Sequence, residues 1–410
     1  MWYIYIKMNF KNIMSCRKEN KELSQEQIEF LVNGFISGKI SKAEMSEFLL
    51  SVVQKDLTEN ETFALTCVML ESGQTYDLSC FEHTVDKHST GGVSDNTTLI
   101  VVPLFALFGF TSIKMSGGAL GHTGGTADKI LCFEGLQNQI EFEKAVKIAK
   151  ETNACFITSS KDVAPADKKI YALRDEIGAM SIGLIASSIM SKKFATGNKN
   201  LILDVKFGNG ALINDKTQAE KLALLMQKIG LRYGVNTQFV LGDMNQPLGT
   251  CVGDFLEVAE VLENLKTGQE TPLVKHSLNL VATALSKALN LPEAEIYAQG
   301  LQFIREGKVL EKLKQIVEAQ GGKFSEKSFG FALKNVVKSN KSGIITCVNT
   351  KEIGFLNKRL SKEIKGYKGF KILKRIGDNV HQNEPIFELY FETDNFELLQ
   401  EEFNNLIKVK

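Results

Sequence analysis

Two glycine-rich segments between Asp86 and Asp128 carry residue types that bind anions. The first is Lys87-His88-Ser89-Thr90-Gly91-Gly92, and the second runs from Ser116 to Thr126 and contains five glycines. Glycine lets the backbone approach a ligand closely, and the interleaved lysine, serine and threonine residues supply a charge and hydrogen-bond donors. The segments therefore predict loops that hold phosphate, although two ordinary surface loops would use the same turn glycines.

The spacing within these loops excludes two common nucleotide-binding motifs. Neither loop contains the G-x-x-x-x-G-K-[ST] pattern of a P-loop or the G-x-G-x-x-G pattern of a dinucleotide-binding fold. The apolar run from Thr97 to Phe110 predicts a buried helix directly after the first loop. The unpaired N–H groups at the start of that helix would face the same anion.

The overall composition limits the partners of the chain. Lys and Arg number 49 against 48 Asp and Glu, so no net positive field favours nucleic acid or an anionic membrane. No apolar run approaches the roughly 20 residues of a membrane span. Residues 1–7 are too short for a signal peptide and are interpreted as an upstream start before Met8. We therefore expect a cytoplasmic globular protein of two or three domains.

Cysteine and histidine spacing argues against a metal mechanism. The seven cysteines form no C-x-x-C pair, and the five histidines show no metal-ligand spacing. We expect reduced cysteines that lie mostly in the core, with metal ligation or a disulfide framework as the alternative.

Local signals predict helices before the first loop and an alternating pattern after it. Capping boxes begin at Ser24, Ser41 and Thr58, each with an apolar face behind it, and predict a small helical unit that ends near Gly73. Further along, β-like runs alternate with helices, which predicts a parallel sheet flanked by helices. The predicted strands are residues 112–115, 154–157, 201–205 and 239–241.

A later helical stretch and a strand-rich end complete the predicted organisation. Residues 168–196 have a helical pattern, and the chain becomes strand-rich and charged from about Ser342. The predicted fold class is α/β with a mixed or parallel sheet. Its parts are a small α domain (1–75 and 168–199), an α/β phosphate-binding domain (76–167 and 200–341) and a C-terminal α+β subdomain (342–410).

Six segments resemble the thymidine and pyrimidine-nucleoside phosphorylase family, in family order and over nearly the whole chain. They are Val85–Val93, Leu120–Lys129, Tyr171–Asp175, Ile185–Lys193, Leu203–Lys206 and Gly242–Gly249. The last segment is most similar to the bacterial broad-specificity pyrimidine-nucleoside members, and a thymidine-restricted phosphorylase is the alternative.

The resemblance implies reversible phosphorolysis of pyrimidine nucleosides such as uridine, thymidine and deoxyuridine. Inorganic phosphate would attack C1′ and release the free base and a ribose or deoxyribose 1-phosphate, without an organic cofactor. The family fold implies a small α domain that faces the α/β domain across a cleft, and a homodimer formed through the α domain. Closure of the cleft would exclude water.

The family's site residues fall on matching positions of this chain. Its phosphate contacts fall on Lys87, Ser89, Thr98, Ser116 and Thr126. Its base-binding positions fall on His88, Arg174, Ser188 and Lys192, and the last two lie on one helix face at i and i+4. Arg174 and Lys192 would stabilise negative charge on the leaving base. His88 is the expected general acid, because histidine exchanges protons near neutral pH.

Each assignment has a structural alternative. His88 could be a structural histidine, Arg174 could form an ordinary ion pair with Asp175, and Lys192 could belong to a solvated helix face. His122, in the second loop, is assigned to loop structure.

The resemblance also implies a monovalent cation, K⁺, near the first loop. The matching positions are Ser94, Asn96, Leu248, Cys251 and Glu260. Several of them would bind through backbone carbonyls, whereas Glu260 would supply a carboxylate. A surface charge at Glu260 is the alternative.

Three positions depart from the family pattern. Gly118 replaces an arginine, Gly183 stands where proline is usual in a segment one residue shorter, and Leu131 replaces a glutamate. The first change removes an always-charged donor near phosphate. A catalytically impaired nucleoside- or phosphate-binding paralogue is therefore the second hypothesis. A phosphoribosyltransferase, the third, would want an acidic magnesium-binding pattern that the sequence lacks.

Overall fold

The computed structural model describes residues 8–119, 121–158, 160, 162–325, 329, 333–392 and 400–410. Residues 1–7, interpreted above as an upstream start, and Leu120 of the second loop lie outside the described residues. The chain forms two compact units. The first comprises the chain up to Glu82, Ser159–Leu201 and Glu220–Thr237, and the second comprises His83–Thr158, Ile202–Ala219 and Gln238–Lys410.

Helices form the N-terminal part of the first unit. They are α1 (Phe10–Lys18), α2 (Gln25–Ser37), α3 (Lys42–Gln54) and α4 (Glu59–Glu71). The three predicted capping boxes are confirmed, because Ser24, Ser41 and Thr58 each accept a hydrogen bond from the N–H three residues later. The side chain at that later position accepts one from the cap N–H in return. Reciprocal caps of this kind specify where a helix begins.

The second unit begins with the elements that carry the glycine-rich loops. They are β1 (Val85–Ser89), α5 (Thr98–Leu107), β2 (Ser112–Ser116), α6 (Thr126–Ile130), α7 (Phe142–Thr152) and β3 (Ala154–Thr158). Helix α5 confirms the buried helix predicted after the first loop. Strands β2 and β3 pair in parallel, with Ser112 opposite Ala154 and Ser116 opposite Thr158, as the alternating pattern predicted.

Helices α8 (Pro165–Ile177) and α9 (Ile182–Ala195) belong to the first unit. The stretch predicted at 168–196 is helical, but it forms two helices because Gly178 ends α8 in the left-handed conformation with φ 66°. The Gly183 N–H donates to Asp56 Oδ1 at 3.1 Å, and an added Cβ would lie 2.8 Å from the same oxygen. Proline at 183 has no N–H to donate, so the local packing explains glycine there.

The chain then alternates again before a group of helices. These elements are β4 (Asn200–Phe207), α10 (Lys216–Tyr233), β5 (Asn236–Asp243), β6 (Cys251–Val252), α11 (Asp254–Thr267), α12 (Pro272–Leu289), α13 (Glu293–Arg305) and α14 (Lys308–Ala319). β1, β4 and β5 form a sheet in the order β1-β4-β5, so all four predicted strands are confirmed. Phe105, Val281 and Ile316 are fully buried in the core of the second unit.

The C-terminal region also belongs to the second unit. It comprises β7 (Leu333–Lys338), β8 (Gly343–Val348), α15 (Thr350–Glu363), β9 (Gly369–Ile372), β10 (Asn379–Val380), β11 (Pro385–Tyr390), α16 (Gln400–Asn404) and β12 (Ile407–Val409). Its sheets have the orders β6-β9-β11-β7 and β10-β8-β12. Strand β7 lies before the boundary predicted at residue 342. The antiparallel pairing of β6 with β9 connects this region to the α/β part.

The cysteines are free thiols, as predicted. Of the seven, Cys155 and Cys251 are buried, four are partly exposed and Cys80 is exposed, so the prediction that they lie mostly in the core is wrong. Burial raises the pKa of the Cys155 thiol to about 12, so it stays protonated at neutral pH. Within the described ranges, no cluster of three or more histidine, cysteine or acidic side chains is arranged to hold a metal ion. The helices in these ranges include none with both the length and the apolar character needed to cross a membrane.

Candidate active site

A cavity of about 190 Å³ lies between the two glycine-rich loops in the second unit. Its lining includes four of the predicted phosphate ligands and the predicted general acid, namely Ser89, Thr98, Ser116, Thr126 and His88. Ser89 and Ser116 end β1 and β2, and Thr98 begins α5. Strand ends and the first turn of a helix are the places where α/β folds present polar groups to a ligand.

Two loop glycines are required by the backbone geometry. Gly91 has φ 95°, in the region that side chains with a Cβ rarely adopt. A Cβ at Gly125 would lie 2.2 Å from the carbonyl carbon of Gly118. Only glycine at 125 therefore lets the second loop fold back on itself around the cavity.

Ser116 has the strongest mark of a ligand contact among the lining residues. Its side chain is buried, and its Oγ has no hydrogen-bond partner within the described part of the chain. Buried hydroxyl groups are normally hydrogen-bonded, because leaving one unpaired costs free energy. A phosphate oxygen in the cavity would accept this bond.

Lys114 lines the same cavity and was not among the predicted ligands. Its Nζ donates to the Met115 carbonyl at 2.7 Å and lies 3.8 Å from Asp86 Oδ1. The available signal was its spacing, since Lys114 and Ser116 stand two residues apart in a strand and therefore point to the same face. The predicted strand at 112–115 ended one residue before Ser116, whereas the observed β2 includes it.

Lys87 does not line the cavity, although the resemblance placed a phosphate contact there. Its side chain is 1% exposed, and its Nζ lies 2.6 Å from Thr97 Oγ1, 3.2 Å from Asp204 Oδ2 and 3.7 Å from Asp95 Oδ2. The ammonium is therefore held by carboxylates beneath the first loop.

These carboxylates belong to a buried charge cluster formed by Lys87, Asp95, Asp204 and Lys206. Lys206 Nζ lies 2.8 Å from Asp204 Oδ1, which is also 2.8 Å from Nε2 of His276. Burial alone would raise the pKa of Asp95, but Lys206 and Lys87 hold it well below its usual range. The pKa of Asp204 is lowered for the same reason. The cluster thus contains two ammonium groups and two ionised carboxylates.

Gly118, at the position where the family pattern expects arginine, faces the carboxylate of Asp128. An added Cβ there would lie 3.7 Å from both carboxylate oxygens of Asp128, and Asp128 Oδ2 accepts a hydrogen bond from the Ala119 N–H at 2.9 Å. Among the described residues, no lysine or arginine pairs with Asp128. Leu131, where the family has glutamate, is 52% exposed.

His122 connects the second loop to the segment after β4. Its Nε2 lies 2.9 Å from the Gly210 carbonyl, and its ring lies 5.7 Å from that of Phe355. These contacts are consistent with the structural role expected for His122.

Within the first unit, three of the four predicted base-binding residues, Arg174, Ser188 and Lys192, lie together on α8 and α9. Lys192 Nζ donates to Ser188 Oγ at 3.0 Å and to Asp167 Oδ2 at 2.5 Å. The Tyr171 ring lies 5.9 Å from the Arg174 guanidinium carbon and 6.0 Å from Lys192 Nζ. Two cations, one hydroxyl and one aromatic face are thus grouped together.

The alternative ion pair between Arg174 and Asp175 does not form. Arg174 is buried and donates through Nη1 to the Leu184 carbonyl at 2.9 Å and through Nε to the Ala179 carbonyl at 3.3 Å. Burial lowers the pKa of the guanidinium, but arginine remains charged at neutral pH. The arrangement orients a cation without neutralising it.

The predicted cation ligands Ser94, Asn96 and Glu260 lie in one neighbourhood of the second unit. A Cβ added at Gly249 would lie 2.3 Å from Glu260 Oε2 and 2.4 Å from Ser94 Oγ. Asn96 Oδ1 is buried and has no hydrogen-bond partner within the described ranges. Oxygen ligands of this kind suit a hard cation, so these side chains fit K⁺.

The remaining predicted ligands adjoin this group. The Leu248 N–H donates to the Val93 carbonyl at 3.4 Å, and the Cys251 N–H donates to Glu260 Oε2 at 3.2 Å. Glu260 also accepts from the Thr250 N–H at 2.6 Å. Burial raises the pKa of Glu260. The residue is therefore a half-buried hydrogen-bond acceptor and not an exposed surface charge.

Comparison with known proteins identifies related folds. The family described as "Glycosyl transferase family, helical bundle domain" matches residues 11–73, and "Glycosyl transferase family, a/b domain" matches residues 81–308. The anthranilate phosphoribosyltransferase of Thermus thermophilus is similar to this structure with a TM-score of 0.58 and 14% sequence identity. The similarity covers 75% of this chain and 98% of that one, and it concerns the fold.

Curated relatives match nearly the whole chain. The pyrimidine-nucleoside phosphorylase of Bacillus subtilis (strain 168) is 37% identical over 97% of this chain and 96% of its own length. That of Staphylococcus haemolyticus is 36% identical over 98% of this chain and 96% of its own length. Because identity of this extent spans both domains, the chain belongs to the pyrimidine-nucleoside phosphorylase family of glycosyl transferases.

Proposed function

We propose that this chain catalyses the reversible phosphorolysis of pyrimidine nucleosides, with uridine, thymidine and deoxyuridine as substrates. The full-length similarity to pyrimidine-nucleoside phosphorylases supports the reaction. The observation that carries the proposal is the buried Ser116 hydroxyl in the loop cavity beside Lys114, which has no hydrogen-bond partner among the described residues. A phosphate oxygen bonds to C1′ as the bond from C1′ to N1 of the base breaks, and the electron pair leaves with the base.

Phosphate is proposed to bind in the loop cavity. The Lys114 ammonium supplies a charge, and the hydroxyls that line the cavity supply donors, namely those of Ser89, Thr98, Ser116 and Thr126. Lys87 contributes by neutralising the carboxylates beneath the first loop, which would otherwise repel the anion.

The leaving pyrimidine needs stabilisation of the negative charge that develops on its ring and carbonyl oxygens. Arg174 and Lys192 are proposed to donate to those oxygens, and Ser188 to contact the imide edge of the base. His88 is proposed to deliver a proton to the base as the glycosidic bond breaks. Stabilisation that appears only as charge develops increases the rate of the chemical step.

A bound K⁺ and a homodimer are further parts of the proposal. Glu260, Ser94 and Asn96 would hold the ion and so fix the end of the first loop. Dimer formation through the helical unit is supported by α3, which leaves Leu50 and Val53 each 45% exposed. Light scattering and the activity in K⁺ compared with Li⁺ test these two parts.

Release of free base in the presence and absence of phosphate tests the main proposal. We expect uracil from uridine and thymine from thymidine only when phosphate is present, with a pentose 1-phosphate detected by ³¹P NMR. Base release without phosphate would show a hydrolase instead. Nucleoside binding without turnover at any phosphate concentration would support the impaired paralogue, for which Gly118 is the motivating observation.

A further inference from the structure

Helix α15 of the C-terminal region packs against the middle of the second glycine-rich loop. Lys358 Nζ donates a hydrogen bond to the Gly121 carbonyl oxygen. One turn earlier, the Phe355 ring lies 5.7 Å from the His122 ring. Gly354 approaches so closely that an added Cβ would lie 2.2 Å from the His122 carbonyl oxygen. Three contacts therefore join α15 to Gly121 and His122.

These contacts lie directly before the part of the loop that lines the phosphate cavity. Thr123, Gly124, Gly125 and Thr126 follow Gly121 and His122, and all four line the cavity. Because the segment is short, a shift at Gly121 is transmitted to the cavity wall within two residues. The position of α15 thus bears on the shape of the anion site.

The hydrogen bond from Lys358 to Gly121 gains importance in this chain because the loop lacks the arginine side chain that the family pattern expects at 118. Position 118 is glycine, and the Ala119 N–H connects the beginning of the loop to Asp128. Lys358 supplies a charge-assisted hydrogen bond at the other side of that segment. The matches to the two glycosyl transferase domains end at residue 308, before α15 begins.

We propose that Lys358 is a positioning residue for phosphate, which acts by holding the second loop through the Gly121 carbonyl. The inference rests on the phosphate site of the proposed function. Lys358 does not itself line the cavity. Its removal therefore weakens phosphate binding through the loop, and the affinity for the nucleoside stays unchanged.

The test compares Lys358→Ala with Lys358→Arg and with Lys362→Ala. Arginine retains a charged donor for the carbonyl, and Lys362 is an exposed lysine one turn further along the same helix. Phosphate binding is measured by calorimetry without nucleoside, and KM is measured for each substrate. We expect Lys358→Ala to raise the Kd and KM for phosphate about three- to tenfold, which is less than one whole hydrogen bond to a charged group because the effect reaches phosphate only through the loop. The KM for nucleoside and both reference variants should stay within about twofold of wild type.

The outcomes separate this inference from the proposed function. An unchanged phosphate Kd in Lys358→Ala, or an equal rise in the KM of both substrates, would overturn the positioning role while phosphorolysis stands. Loss of phosphate affinity in Lys362→Ala would also overturn it, because the effect would then be one of general charge. A wild-type protein that binds phosphate without turnover would sink the proposed function and leave this inference standing, whereas one that binds no phosphate would refute both.

Discussion

Replacing Lys114 with methionine should weaken phosphate binding. The Lys114 side chain is 6% exposed and lines the loop cavity, and its Nζ donates to the Met115 carbonyl at 2.7 Å. Methionine fills most of the volume of the buried stem and removes only the ammonium. The substitution therefore isolates the contribution of the charge.

The expected loss follows from the surroundings of the ammonium. Two unit charges about 4 Å apart interact by about 4 kcal/mol at an effective dielectric constant of about 20. Asp86 Oδ1, at 3.8 Å from Lys114 Nζ, offsets part of that attraction. Hydrogen bonds to charged groups contribute about 1.5–3 kcal/mol. We therefore expect a loss of about 2–3 kcal/mol, or about 30- to 150-fold in the Kd for phosphate.

Calorimetric titration with phosphate in the absence of nucleoside measures this loss. Lys144→Met is the matched control, because Lys144 is an exposed lysine of the same unit, and its effect should stay within about twofold. Lys87→Met provides a contrast, since it leaves the buried carboxylates of Asp95 and Asp204 undercompensated and should lower the melting temperature. A phosphate Kd within about twofold of wild type in Lys114→Met would refute the reasoning.

Three further predictions concern other parts of the molecule. Arg174→Ala should lower kcat/KM for nucleoside by at least about 100-fold while the phosphate Kd measured alone is unchanged, and a parallel loss of phosphate affinity would contradict the assignment. Gly118→Arg should raise the free energy of unfolding by up to about 1 kcal/mol in urea titrations, because the new side chain faces Asp128. A decrease in the free energy of unfolding would show that the arginine side chain does not fit there. Burial and then the nearby Glu257 raise the pKa of Asp254 to about 6. The folded state therefore holds the Asp254 proton more tightly than the unfolded state does. The free energy of unfolding should fall as pH rises from about 4 to about 6. Asp254→Asn should remove about 2–3 kcal/mol of that pH dependence, and an unchanged pH profile of unfolding would disprove the cause.

Local signals predicted the elements of the fold well because their causes are local. The caps at Ser24, Ser41 and Thr58 involve atoms within three residues of one another, so the sequence contains the whole interaction. By contrast, β6 pairs with β9, more than a hundred positions further along the chain, and no local pattern indicates that partner. The C-terminal region was therefore predicted as a separate subdomain, without its connection to the α/β part.

The same distinction between local and distant contacts explains which site residues could be predicted from the sequence. The hydroxyls of Ser89 and Ser116 were predicted as phosphate contacts from short sequence motifs that resemble the family, and both residues line the cavity. The burial of Lys87 could not be predicted in this way, because it depends on an ion pair with Asp204, which comes from β4. Lys114 was not predicted as a ligand, although β2 places it on the same face as Ser116.

The charge balance around the proposed phosphate cavity would favour catalysis over tight binding of phosphate. Asp95 lines the cavity, but with Asp204 it is neutralised by Lys87 and Lys206, so this cluster adds little net charge. The remaining ammonium, on Lys114, is itself partly offset by a neighbouring carboxylate. Neutral hydroxyls would therefore provide much of the phosphate binding, because the N–H groups of Thr97, Leu99 and Ile100 at the start of α5 already donate to Asp95, Asn96 and Thr97 within the protein. A phosphate held in this way keeps most of the negative charge on its oxygens, and that charge is what the attack on C1′ requires.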